Sequence, residues 1–362
     1  MPEAVIVDAV RTPIGRAGKG SLKSVRADEL AALPIRTLMA RNPDVDFSQT
    51  TDVLMGAASG VGEQGYNVGR NAALLSGLDH HVPACTVNRF CASSLMAIRM
   101  ASHAIRAGEG DQYIAAGVEC VSRAGLGAGM MEEAKNPRLN GSEGSLYDVY
   151  IPMGMTAENV AERCSVTREQ QDEWAVISQD RAVQARDSGH FAAEIVPVTV
   201  AAHTDTDKEG NEIEVPEAIV DSDDGPRAGT TMEVLGKLQP AFKPDGTVTA
   251  GNSCPLNDGA AAVLVMSDER AERLGLEPLA RIVGSTVAAI RPELMGLGPI
   301  PAIQALLERT GLTMDQIDIV EINEAFAAQI VPCKEDLGIS DEQLNPFGGA
   351  IALGHPFGMT GA

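Results

Sequence analysis

The chain has 362 residues, 44% of them hydrophobic, with 50 acidic against 28 basic side chains and a formal net charge of −22. That length can bury a large core, and the acidity excludes a nucleic-acid-binding surface, which needs clustered Lys and Arg. No apolar run reaches the length of a membrane span, and Met1 to Val10 has neither a basic n-region nor a long apolar stretch, so a cytoplasmic chain with reduced thiols is expected.

Ala4 to Val10 reads as a buried strand, closed by Arg11-Thr12-Pro13. Ala27 to Met39 has a helical pattern, and Val82 to Val87 is strand-like. Leu95, Ile98, Ser102 and Ile105 form a helical stripe that starts at Ala92 and stops at Gly108. Tyr113 to Val118 is another strand. This alternation predicts α/β architecture with parallel pairing. Between Val121 and Val248 the character changes. Asn136 to Gly141 reads as a loop, and helices are expected over Ala157 to Cys164 and Thr167 to Ser188. The second opens with a capping box, Thr167 to Gln170, and carries a packing stripe of Trp174, Ile177, Ala182 and Ala185. Ile195 to Ala201 and Glu212 to Val215 predict a hairpin with an acidic tip. Its Asp205-Thr206-Asp207-Lys208-Glu209-Gly210 run is no calcium loop, because Pro216 stands where a bidentate acid is needed. The α/β pattern then resumes, with strands expected over Ala260 to Met266, Arg281 to Val287 and Ile317 to Ile322. Helices are expected over Ile300 to Arg309 and Glu324 to Val331.

Cys91, in Val-Asn-Arg-Phe-Cys-Ala-Ser-Ser-Leu, falls where a strand ends and a helix begins. A thiol there meets free backbone N–H groups and the positive end of the helix dipole, so a reactive thiolate is expected. Cys85, Cys120, Cys164 and Cys333 read as small buried apolar residues. His355 lies in a loop with Gly348, Gly349, Gly354, Gly358 and Gly361, and is the candidate base. Asn323 follows a predicted strand and precedes a predicted helix. An N-cap explains it, and so does a polar group aimed into a site at the carboxyl end of the sheet. Gly246 to Ser253 and Asn257 to Ala260 read as a turn cluster. No C-x-x-C pair, Walker loop or Gly-x-Ser-x-Gly elbow occurs in the required context.

The motifs in combination resemble the thiolases of the 3-oxoacyl-CoA (acetyl-CoA C-acyltransferase) type. They are Val5 to Pro13, Val87-Asn88-Arg89-Phe90-Cys91, Met153 to Asn159, Glu194 to Val198, Thr247 to Asn252, the Asn323-Glu324-Ala325-Phe326 segment and the Gly354-His355-Pro356 segment. The resemblance covers essentially the whole chain, and Asn88 to Ser94 is closer to degradative than to biosynthetic members. It implies a duplicated α/β body, five layers in the order αβαβα, with an inserted loop domain. Residues 1–120 with 251–270 would be the first half, 121–250 the insertion and 271–362 the second half. Cys91 would be the acyl-accepting nucleophile, with its own N–H serving an oxyanion. His355 would take its proton, and Asn323 would hold a water in an oxyanion hole. Arg227 and Ser253 would lie near bound CoA. The family needs no metal or prosthetic group, takes CoA thioesters as substrates, and is usually a homodimer or homotetramer.

Two departures from the family pattern stand out. Cys254-Pro255 replaces a Ser-Gly pair common in the CoA loop. Thiolases also continue past the segment that ends at Gly361-Ala362, through a helix and two strands to a Cys-x-Gly loop that carries the second acid/base. A truncated chain is therefore expected, with exposed sheet edges and impaired turnover. The alternative is a degenerate, non-catalytic CoA- or acyl-CoA-binding homologue. A ketoacyl synthase and a papain-like hydrolase are weaker rivals.

Overall fold

The computed structural model describes residues 2–124, 135–207 and 209–362; Met1, Lys208 of the hairpin tip and residues 125–134 of the inserted stretch lie outside the described residues. Its strands are Ala4–Arg11 (β1), Gly15–Arg16 (β2), Asp52–Gly56 (β3), Ala84–Val87 (β4), Gln112–Cys120 (β5), Val198–Val200 (β6), His203–Thr206 (β7), Glu212–Val215 (β8), Ala218–Val220 (β9), Asn257–Ser267 (β10) and Ala280–Arg281 (β11). The main sheet has seven strands in the order β11-β1-β10-β5-β3-β4, with β2 also on β10.

Side-chain alternation sorts each central strand between two apolar layers. Val53 and Met55 of β3, Ile114 and Ala116 of β5, and Leu264 and Met266 of β10 face the helices Ala27–Arg41 and Val68–Leu75. Leu54, Tyr113, Ala115, Val263 and Val265 face the helix Ser93–Ala107, through Ala97, Ala101 and Ile105. Every residue of β5 and β10 is buried, as a strand covered on both faces requires. The expected parallel pairing holds only for β3 with β4 and β5; β10 runs antiparallel to both β1 and β5. A strand arriving after a long insertion is free of the crossover geometry that makes βαβ neighbours parallel.

The helix Ser93–Ala107 starts in very close contact with the sheet. A Cβ on Gly56 would lie 2.3 Å from the Ser94 nitrogen, and one on Gly117 would lie 2.7 Å from Ser94 Cβ. Two glycines thus set the height of the helix that follows Cys91. The Thr167–Gln170 capping box forms as expected, opening the helix Arg168–Asp187. Its Trp174 and Ala175 pack with Val320, Ile322, Ile330, Leu337, Leu344 and Ile351 in a second core, which joins this helix to the later part of the chain.

Several expected elements differ. Glu212–Val215 pairs with His203–Thr206, while Val198–Val200 pairs with Ala218–Val220, giving two nested ladders instead of one hairpin. Of the Arg281 to Val287 run only Arg281 joins the sheet, as part of β11 on β1. Ile317 to Ile322 forms no ladder and makes one bridge, Val320 to Leu344. Both runs are apolar and extended, but among the described residues neither has the in-register neighbour that a strand needs. The helix expected from Glu324 begins at Ala327 and runs to Leu337. Cys164 is exposed at a helix end, and Cys85 is half-buried. No helix among the described residues is long and apolar enough to cross a membrane.

Candidate active site

β4 ends at Val87, and the turn Asn88-Arg89-Phe90 leads to Cys91. Phe90 takes a positive φ of 47°, a left-handed conformation unusual for a bulky residue. Three hydrogen bonds hold it there. Asn88 Oδ1 accepts from the Phe90 N–H at 2.8 Å, Ser93 Oγ accepts from the Arg89 N–H at 2.8 Å, and the Ser93 hydroxyl donates to the Phe90 carbonyl at 2.6 Å. The turn delivers Cys91 half-buried, two residues before the first helical residue, Ser93.

His355 comes from the other end of the chain, and its loop sits on this helix start. The Ser94 hydroxyl donates to the Met359 carbonyl at 2.8 Å, and a Cβ on Gly361 would lie 2.4 Å from the Leu95 nitrogen. His355 itself is 1% exposed. Its N–H donates to Asn257 Oδ1 at 2.8 Å. Its Nδ1 is 2.7 Å from Thr360 Oγ1, and its Nε2 is 3.3 Å from Asn323 Nδ2. The Thr360 hydroxyl donates onward to the Pro356 carbonyl, so Thr360 accepts the Nδ1 proton. Nε2 is then left with a lone pair, which accepts from the Asn323 amide. Burial pushes the imidazole down to about 4, so it is neutral and able to take a proton. No hydrogen bond links Nε2 to the Cys91 sulfur.

The thiolate expectation is overturned. Burial first, and then the charge of Glu119, push the Cys91 thiol up to about 11, against the smaller lowering from its own N–H. Desolvation of the anion is the largest of these effects. Near neutral pH Cys91 is a thiol, and its activation needs a base.

Asn323 does not cap a helix: the N-cap is Phe326, and Asn323 faces His355. Its Oδ1 is buried with no partner. Ser253 is buried, with its hydroxyl donated to the Thr249 carbonyl at 2.7 Å, inside its own loop. Arg227 is exposed, and its N–H donates to Gln179 Oε1. It makes no bond to Cys91 or His355, but nearby Gly225 packs on the Ala352 and Leu353 carbonyls, just before His355. Asn257 belongs to buried β10, not to a turn. Its Nδ2 donates to the Gly15 carbonyl while its Oδ1 holds the His355 backbone. Cys254 also belongs to the cluster. Its N–H donates to the Ala325 carbonyl, two residues from Asn323, and after burial itself the Cys91 charge is what most raises its thiol. The Asn257-Asp258 pair at the head of an otherwise mostly apolar strand is the one sequence signal for Asn257.

Glu324 is wholly buried and accepts from Trp174 Nε1, Ser178 Oγ, Asn345 Nδ2 and the Ile351 N–H at 2.6–3.1 Å. It ties the helix Arg168–Asp187 to the segment leading to His355. Glu324→Ala strands those four donors, so a loss of about 3 kcal/mol or more is expected in urea unfolding. A change below about 1 kcal/mol contradicts the assignment.

Comparison with known proteins accords with this geometry. The family profile "Thiolase, N-terminal domain" matches residues 4–269, and "Thiolase, C-terminal domain" matches residues 276–362. The chain is 48% identical over 380 residues to a beta-ketoadipyl-CoA thiolase of Acinetobacter baylyi, with 100% of this chain and 91% of that protein covered. It is 44% identical to the 3-oxoadipyl-CoA/3-oxo-5,6-dehydrosuberyl-CoA thiolase of Escherichia coli, covering 100% and 91%. The crystal structure of the Bacillus anthracis acetyl-CoA acetyltransferase superposes with a TM-score of 0.87 at 38% identity, covering 100% of this chain and 90% of that one. The chain therefore belongs to the thiolase family and has the α/β thiolase fold. It is an acyltransferase that cleaves 3-oxoacyl-CoA, with CoA as substrate and no cofactor, and the non-catalytic alternative is not favoured.

Proposed function

We propose that Cys91, His355 and Asn323 carry this reaction, on a 3-oxoacyl-CoA that ends in a carboxylate, of the 3-oxoadipyl-CoA kind. The observation that carries the residue roles is the His355 loop, which is seated on the Cys91 helix with a neutral, lone-pair-bearing Nε2. The substrate reading is supported by the relatives named for 3-oxoadipyl-CoA at 44–48% identity.

In this reading Nε2 takes the Cys91 proton as the sulfur attacks the 3-keto carbon. Asn323 and the Cys91 N–H lie beside the carbonyl oxygens that gain charge. The bond between C2 and C3 breaks, and the acetyl-CoA enolate takes the proton held on Nε2 and leaves. A succinyl thioester remains on Cys91. The thiol of free CoA then attacks it, giving succinyl-CoA and restoring the Cys91 thiol. Arg227 and the Ser253 loop flank the CoA.

A homodimer or homotetramer is supported by the unpaired outer edge of β4, where Tyr66, Phe90 and Leu95 are 99%, 73% and 57% exposed. Six free cysteines support a reducing cytoplasm. Intact-protein mass spectrometry after mixing with 3-oxoadipyl-CoA tests the reading. A single succinyl adduct is expected on the wild type and none on Cys91→Ala. An adduct that survives the substitution, or acetylation from acetoacetyl-CoA with no succinylation, contradicts it.

A further inference from the structure

Glu119, at the end of β5, is fully buried and lies outside the reaction as described so far. Its Oε2 accepts from the N–H groups of Ala58 and Gly358, both at 2.9 Å. Its Oε1 accepts from the Ser59 N–H at 3.1 Å and from Gln64 Nε2 at 2.7 Å. Two of these contacts lead to the reacting groups. Gly358 lies three residues after His355 and is pressed so closely on the turn after β3 that a Cβ would come within 2.6 Å of Ala57 Cα and 2.9 Å of Glu119 Oε2. The Ala58 carbonyl accepts from Asn88 Nδ2 at 2.8 Å, and Asn88 Oδ1 holds the left-handed Phe90 immediately before Cys91.

We infer that Glu119 is a positioning residue, one carboxylate whose two arms hold the Cys91 turn and the His355 loop in register with each other. The inference rests on the site reading above. Neither arm touches substrate. A carboxylate suits the task because its oxygens accept from four donors without rearrangement, and a charged acceptor strengthens each bond. The same negative charge faces Cys91 and opposes its ionisation. The sulfur thus stays protonated until a base is in place. Cys254, from the loop before β10, is a further titratable group that interacts with Cys91. Arg89 shares its turn and is exposed.

The test compares wild type with Glu119→Gln, Glu119→Asp and Asn88→Ala in two assays. These are steady-state thiolysis and the pH dependence of Cys91 alkylation by iodoacetamide. Gln keeps the shape but turns an N–H toward N–H donors. Asp keeps the charge but draws it back by one methylene. Asn88 is exposed, so its truncation leaves the core intact and cuts only the arm to Phe90. The expected result is a fall in kcat of about 100-fold for both Glu119 variants and about 10-fold for Asn88→Ala, with KM held within about threefold. Only Glu119→Gln moves the alkylation profile, to lower pH. Folded Glu119 variants with kcat within about threefold of wild type overturn the inference. So does an alkylation profile that Glu119→Gln leaves unmoved, or Asn88→Ala at full activity. Alkylation needs no turnover, so a wild type without thiolysis sinks the site reading and still leaves the link between Glu119 and Cys91 measurable.

Discussion

Cys91→Ala is expected to lower kcat for thiolysis by at least about 10⁴-fold, with the melting temperature nearly unchanged. In the proposed mechanism the acyl group is carried as a thioester on this sulfur, and a methyl group offers no route around it. His355→Ala is expected to cost a similar factor, because the half-buried Cys91 thiol, pushed up to about 11, is almost entirely protonated near neutral pH. The two side chains act as one unit, so the double variant should be no slower than the worse single one. Cys91→Ser fails for the same reason in stronger form, since a hydroxyl gives up its proton far less readily. Loss of thioester absorbance measures all four variants. Retention of more than about one hundredth of wild-type activity by Cys91→Ala contradicts the nucleophile assignment.

The second large effect is a stability that drains away with acid. Buried His355 titrates near 4 in the folded chain and close to 6.5 when unfolded. Between those values the unfolded chain binds a proton that the native chain refuses. Stability from this group is therefore whole above about pH 6.5, falls as the pH drops toward 4, and levels off below that. The spread corresponds to roughly 3 kcal/mol. Urea unfolding at pH 7.0, 5.5 and 4.5 should show the decline in the wild type and a shallower one in His355→Asn, which has nothing to titrate. Equal slopes for the two proteins mean that the imidazole is not buried in neutral form.

Much of this was legible in residues. The Thr167 capping box, the stop at Gly108 and the apolar runs around Ile114 and Leu264 are local signals, and each forms where it is expected. Cys91 was findable because a strand ends and a helix begins on either side of it, and His355 because its loop is built of glycines. Pairing direction was less legible: nothing in the residues of β10 records that the strand enters antiparallel between β1 and β5. Asn323 looked like a cap because the helix start was read three residues early, at Glu324 instead of Ala327. Glu119 carries no local signal beyond one acid after an apolar strand, since its meaning depends on Gly358, 239 residues away. The protonation of Cys91 is not legible either, because sequence does not report how far a turn removes its sulfur from water.

The seat between the Cys91 helix and the His355 loop joins Ser94 to Met359, 265 positions apart. Closing so wide a loop is a late event in folding. On the proposed roles, Cys91 lacks its base until this seat closes. In refolding, regained turnover should lag behind regained helicity.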